Sequence, residues 1–340
     1  MTPSSFEPPF RRPFPLAEWF SDDASPARKA WERSAAAIET IRHRIDVLGE
    51  AAIAAVAISG SLGRMEGRED SDWDLIFLLR ENAKFAAADA IRGETLNAFG
   101  RSLWEHLDPE GLRRPEPGGI FVTPVAASEL ADPRFRGSLS DSPSRFGKRI
   151  QLLLDCQTIW GDPVVGRAAA LRFYGIEGPG QEETATRSNR GPEVVFLFND
   201  LVRYHRSLCT MTQWLPNPAS DKARRLKLKL RFSRFLNYLG LLLPLAQGID
   251  CGNVAESLAP FWSLTPLERI LAFADPEPHA ARELCRSYEG FLAFLERSDP
   301  AEAEWQGVEA EADRFRVSAC ELLRSQPFLQ RGRAADLLLL

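Results

Sequence analysis

Two apolar runs, IAAVAIS at 53–59 and the LIFLL that completes DWDLIFLL at 72–79, stand on either side of GSLGRMEGREDS. Each run is too short for a buried helix and is bounded by glycine or charge, so each reads as a buried strand. The segment between them is then a turn rich in glycine and charge. A sheet begins here, and the remaining elements have to be arranged around it.

Helical spacing of Trp31, Ala35, Ile38, Ile41 and Ile45 predicts a helix from Pro26 to Gly49, with Ser25 able to cap its start. Residues 83–99 have a helical pattern, followed by a shorter helical piece near Leu103–Leu107. IFVTPVA, 120–126, is a third strand candidate, bent by Pro124. Ser142-Pro143 opens a helix expected to run through KRIQLLLDCQTIW to Gly161. Helices are expected at about 193–213, 220–246, 253–261, 265–274, 278–297 and 300–325. LKLKLRF, 226–232, alternates as a strand would, yet a helix places Arg224, Lys227, Arg231 and Arg234 on one face, and helix is preferred.

A chain of 340 residues suits two domains. The expected class is α+β: a tail over 1–25, a small mixed β-sheet domain with flanking helices over 26–174, a linker over 175–192 and an all-α helical bundle over 193–340.

Apolar residues make up 44% and charged residues 26%, an ordinary globular balance. No apolar run approaches the roughly 18 residues that cross a bilayer, and the N-terminus is broken by prolines, so no membrane partner and a cytoplasmic location are expected. The five cysteines form no C-x-x-C pair and the four histidines are dispersed, which argues against a disulfide framework and a transition-metal site. A net charge of −5 disfavours nucleic acid as a partner. Residues 222–234, KARRLKLKLRFSR, hold seven basic side chains and no acid, a local exception.

In extended chain, Asp72 and Asp74 project to one side while Trp73 and Leu75 go to the core. Two close carboxylates repel each other unless a cation lies between them. Oxygen ligands of this kind suit Mg²⁺, with Mn²⁺ as the alternative, completed by water and the phosphates of a substrate. Gly60 lets backbone approach a phosphate, and Ser61 offers a hydroxyl and an N–H, with Ser71 assigned to the same binding set. Arg64 is a candidate to contact phosphate or neutralise developing charge. A magnesium–triphosphate site follows.

Gly60-Ser61, a ten-residue gap and Asp72-x-Asp74 before apolar residues resemble the signature of the DNA polymerase β-like nucleotidyltransferase superfamily. The form GSLGR…SDWDL resembles branches that modify aminoglycosides or regulatory proteins. The resemblance implies transfer of an NMP, AMP being the expected one, from ATP or another NTP to a hydroxyl of a small molecule or protein, with release of pyrophosphate. It implies phosphate on Gly60 and Ser61, metal on Asp72 and Asp74, and a helical second domain. The superfamily usually carries a third carboxylate on a later strand, where Thr123 stands here. Glu129 is the closest replacement, with Asp132 and Asp141 behind it. A base from a neighbouring subunit is the alternative, which leaves a homodimer open. A degenerate, nucleotide-binding regulatory module is the rival function.

In FNDLVRYHR, Asn199, Arg203 and Arg206 share one helical face. With Arg231 and Arg234 they are candidates to hold triphosphate or an acidic acceptor, against the commoner use as a solvated face with salt bridges. Some relatives carry a ribonuclease Arg-x(4–6)-His motif. No arginine precedes His205 at that spacing, and Arg101 with His106 matches it by chance, so nucleic-acid cleavage is disfavoured.

Overall fold

In the computed structural model, which describes residues 7–20, 24–80, 89–115, 119–176 and 192–330, helix α1 (Pro26–Leu48) buries the predicted stripe of Trp31, Ile38, Ile41 and Ile45. Ser25 Oγ accepts the Arg28 N–H at 3.1 Å, the capping role read from the sequence. The first unit continues through β1 (Ile53–Ile58), α2 (Gly60–Gly63), β2 (Leu75–Leu79), α3 (Asp89–Leu107), β3 (Val125–Ala126), α4 (Ala127–Leu130), α5 (Pro143–Leu154), β4 (Gln157–Gly161) and α6 (Val165–Phe173).

The four strands lie in the order β3-β2-β1-β4. β1 is antiparallel to β2, with Ile53 opposite Leu79 and Ile58 opposite Leu75, and antiparallel to β4, with Ile58 opposite Gln157. β2 and β3 are parallel, and α3 supplies the crossover that parallel neighbours need. All five residues of β2 are buried, so this strand is covered on both faces and shows no alternation.

Two expectations are corrected. The helix opened by Ser142-Pro143 ends at Leu154, and QTIWG, expected to continue it, is β4. Without β4, the edge of the buried β1 that faces away from β2 would leave backbone donors and acceptors unpaired. The third strand shrinks to Val125–Ala126, because Pro124 has no N–H for the ladder and the preceding residues are turns. LKLKLRF is helical, as preferred.

The second unit contains α7 (Pro192–Gln213), α8 (Asp221–Lys229), a π-helical turn over Leu230–Arg234, α9 (Phe235–Cys251), α10 (Val254–Leu258), α11 (Pro266–Leu271), α12 (Pro278–Leu295), α13 (Glu302–Ser325) and α14 (Pro327–Gln330). Phe232 is fully buried, stacked on Phe291 at 4.4 Å and against Phe315 at 4.8 Å. Leu16, Phe20 and Ala27 belong to this same core. The chain accordingly divides into Met1–Arg12 with Trp31–Ser188, and Pro13–Ala30 with Asn189–Leu340.

The protein is thus a mixture of α and β, with one small mixed sheet and helices in the majority. No described helix is long and apolar enough to cross a membrane. The cysteines are free thiols. Residues 1–6 and 21–23 of the expected tail, the start of the helix expected at 83, residues 177–191 of the expected linker and the terminal LLLL lie outside the described residues.

Candidate active site

Because β1 and β2 are antiparallel, the residues that follow β1 and those that precede β2 meet at one end of this central strand pair. The Ser59 N–H donates to the Asp74 carbonyl at 2.9 Å, which sets Gly60 beside Asp74. Gly60 has φ +71°, and a Cβ built there would stand 2.1 Å from Asp74 Oδ2. The carboxylate therefore occupies the space that any side chain would need. Ser61 Oγ donates to Ser71 Oγ at 3.0 Å, and Ser71 Oγ accepts the Arg68 N–H at 2.9 Å. Asp72 is exposed, Trp73 buried, Asp74 half-buried and Leu75 buried, so the two aspartates alternate with core residues just ahead of β2. Gly60, Ser61, Ser71 and the aspartate segment are thus gathered at one place.

Arg64, expected at phosphate, is buried and engaged within the protein. Its Nε donates to Glu66 Oε2 at 2.8 Å and its Nη1 to Asp155 Oδ2 at 2.7 Å. Asp155 follows α5 and is itself buried, as are Gln151 and Gln157. Ser59 Oγ donates to Asp155 Oδ1 at 2.7 Å and lies 2.6 Å from Gln151 Oε1, while Gln157 Nε2 donates to the Gly63 carbonyl at 2.6 Å. Burial pushes the Cys156 thiol well up from its ordinary pKa, and Asp155 adds to the effect. The same burial brings Arg167 down to about 10, with Cys156 opposing. Met65, also buried, has φ +62°, a strained conformation for a residue with a long side chain.

Glu129 does not join the aspartates. β3 runs parallel to β2 with Ala126 opposite Leu79, so the chain beyond Ala126 leaves the sheet at the end remote from Asp74. Five residues of strand separate Leu79 from Asp74, about 16 Å at 3.3 Å per residue. Glu129 is instead close enough to Lys148 to act on its charge. Thr123 Oγ1 donates to Asn97 Oδ1 at 2.7 Å. Asp132 pairs with Arg134, and Asp141 with Arg149. Among the described residues no group of three or more acidic, histidine or cysteine side chains forms a metal cluster.

In the second unit, Asn199, Arg203 and Arg206 line an open groove of about 690 Å³ on α7, together with Val202, Ser207, Thr210 and Met211. Arg203 lies 3.6 Å from Asp200. Arg231 pairs with Asp313 at 2.7 Å, and Arg234 is half-buried in the π-helical turn. Arg224 is held by Glu302 at 2.8 Å and stacks over Trp305 at 4.1 Å, while Arg225 donates to the Leu295 and Arg297 carbonyls. Three of the seven basic side chains of the segment, Arg224, Arg225 and Arg231, are therefore engaged by α13 and by helix ends. His205 stacks on Tyr238 at 4.8 Å, and burial lowers its pKa.

No family model, no curated protein and no solved structure matches this chain. Asp155 and Gln151 escaped the sequence reading. The available signal was a pair of polar residues interrupting the apolar QLLLDC stretch, where a buried position calls for a partner.

Proposed function

We propose that the chain is a magnesium-dependent nucleotidyltransferase that moves an NMP from an NTP, ATP first among them, to a hydroxyl of a small molecule or protein. The observation that carries this reading is Asp74 Oδ2 filling the space a side chain at Gly60 would take, next to Ser61 and two residues from an exposed Asp72. A half-buried carboxylate pressed onto a glycine turn, with a second one residue away in alternation, is a donor set that fits a hard divalent ion completed by water and phosphate oxygens. When bound, that ion neutralises charge on the polyphosphate and on the leaving pyrophosphate. Asp72 and Asp74 are the residues to hold it. The backbone of Gly60 and Ser61 receives phosphate oxygens, and Ser61 with Ser71 presents hydroxyls.

In the reaction the acceptor oxygen bonds to the α-phosphorus, the bond from that phosphorus to the bridging oxygen breaks, and pyrophosphate departs with the electron pair. The acceptor's proton is released to solvent. Positioning and charge neutralisation account for the rate in this chemistry. Arg64 supports the turn from beneath through Glu66 and Asp155.

A second reading is favoured by one observation, the absence of a third carboxylate beside the pair among the described residues. In it the chain binds nucleotide and regulates a partner without turnover. Incubation with labelled NTPs and Mg²⁺ separates the two. Pyrophosphate release by wild type that is lost in Asp72→Ala and Asp74→Ala supports the enzyme, and equal release in all three rejects it. Tight Mg-ATP binding by calorimetry without pyrophosphate, whatever acceptor is supplied, supports the regulatory module.

A further inference from the structure

Ser59 has its two polar ends tied to different parts of the first unit. Its N–H donates to the Asp74 carbonyl at 2.9 Å, and its hydroxyl donates to Asp155 Oδ1 at 2.7 Å. The next residue is Gly60, where the Asp74 carboxylate fills the space a side chain would need. One residue thus links the glycine turn, the aspartate segment and the junction between α5 and β4. Asp155 completes the link from below, its side chain enclosed and its Oδ2 accepting from Arg64, which in turn holds Glu66.

Stability alone does not account for this arrangement. Two buried carboxylates share one buried guanidinium, and apolar residues of similar volume commonly stabilise a core as well as a buried ion network does. What an apolar set lacks is direction: each hydrogen bond fixes an orientation, and here the Arg64–Asp155 bond orients the carboxylate that accepts from Ser59, the residue before Gly60.

We propose that Asp155 is a positioning residue that acts through Ser59 to hold the Gly60–Ser61 turn and Asp74 in the geometry that grips a triphosphate. The proposal rests on the nucleotidyltransferase reading. Asp155 touches neither metal nor substrate in it. Loss of its charge weakens nucleotide affinity in addition to destabilising the fold, because it also leaves Arg64 with Glu66 alone.

The test measures affinity for a non-hydrolysable ATP analogue with Mg²⁺ by calorimetry, alongside the thermal midpoint, for wild type, Asp155→Asn and Ser59→Ala. Asp155→Asn keeps the shape and is expected to weaken the analogue about tenfold, with Ser59→Ala about threefold weaker. Because both act through Asp74, combining Asp155→Asn with Asp74→Ala is expected to cost less than the two single losses together. If Asp155→Asn fails to fold, Ser59→Ala, which removes only one hydroxyl, decides alone. Affinity within twofold of wild type in the folded variants overturns the proposal, as does full additivity with Asp74→Ala. A wild-type chain that binds no analogue overturns the nucleotidyltransferase reading itself, a different result from wild type and variants binding equally.

Discussion

Gly60 is the residue at which conformation and chemistry meet. Its φ of +71° disfavours any side chain, and a Cβ would collide with Asp74 Oδ2 at 2.1 Å. Gly60→Ala is expected to lower stability by about 1–2 kcal/mol from the backbone alone. Displacement of the Asp74 carboxylate is expected to cut pyrophosphate release at least 100-fold. Denaturant unfolding and a pyrophosphate assay check the two effects separately, and activity within threefold of wild type would strip the Gly60–Asp74 contact of functional weight. Lys148 offers a pH prediction. Burial brings its ammonium down to about 8, with Glu129 opposing, and its Nζ donates to Ser144 Oγ at 2.6 Å. The unfolded chain holds this proton up to about 10.5, so between pH 8 and 10.5 the unfolded state binds more protons and stability rises with pH. Below pH 8 the full penalty, about 3 kcal/mol, is present. Lys148→Met is expected to remove that rise, seen as the difference between wild-type and variant unfolding free energies across the window.

Among the elements, α9 and α11 cross at Gly240, where a Cβ would meet the Pro266 carbonyl oxygen at 2.9 Å and its Cα at 3.0 Å. Alanine gains about 1 kcal/mol in helix propensity over glycine. Both neighbouring atoms are backbone and cannot swing aside, so Gly240→Ala is expected to destabilise by about 1–3 kcal/mol net, measured by chemical unfolding. The same scale shows what the sequence could reveal. The stripe of α1 and the helix over LKLKLRF were legible because periodicity is local. β4 was not, since QTIWG follows an apolar helix without a break, and what makes it a strand is the unpaired edge of β1. Likewise Gly60, Ser61, Asp72 and Asp74 stand close in sequence and could be read as one motif. The partner of Arg64, Asp155, lies 91 residues away and has no local signature. Glu129 was misjudged for a related reason: proximity to a strand was visible, but not the direction in which that strand runs.

For the whole molecule, charge gives the clearest expectation. The net charge is −5, and two of the seven cations of the conspicuous basic segment, Arg224 and Arg231, are held by Glu302, Glu309 and Asp313, while Arg225 is tied to carbonyl oxygens. With an acidic chain around this segment, salt-sensitive attraction to polyanions is expected to be weak. Gel-shift titration with duplex DNA and RNA at roughly 150 mM salt is expected to show no complex up to about 10 μM protein, weaker than typical specific binding. A shifted band lost in Arg224→Glu would reverse this.

The division of the chain has a consequence for synthesis. The backbone passes from one unit to the other after Arg12, after Ala30 and after Ser188. The sheet of the first unit is complete once Gly161 has emerged from the ribosome. Leu16, Phe20 and Ala27 are translated more than 250 residues before Phe291, Phe315 and Leu322, with which they share a core. Pairings so distant along a chain close late. These apolar side chains of the second core therefore wait longest for cover, so a translational pause or a chaperone acting on this protein bears first on Leu16, Phe20 and Ala27.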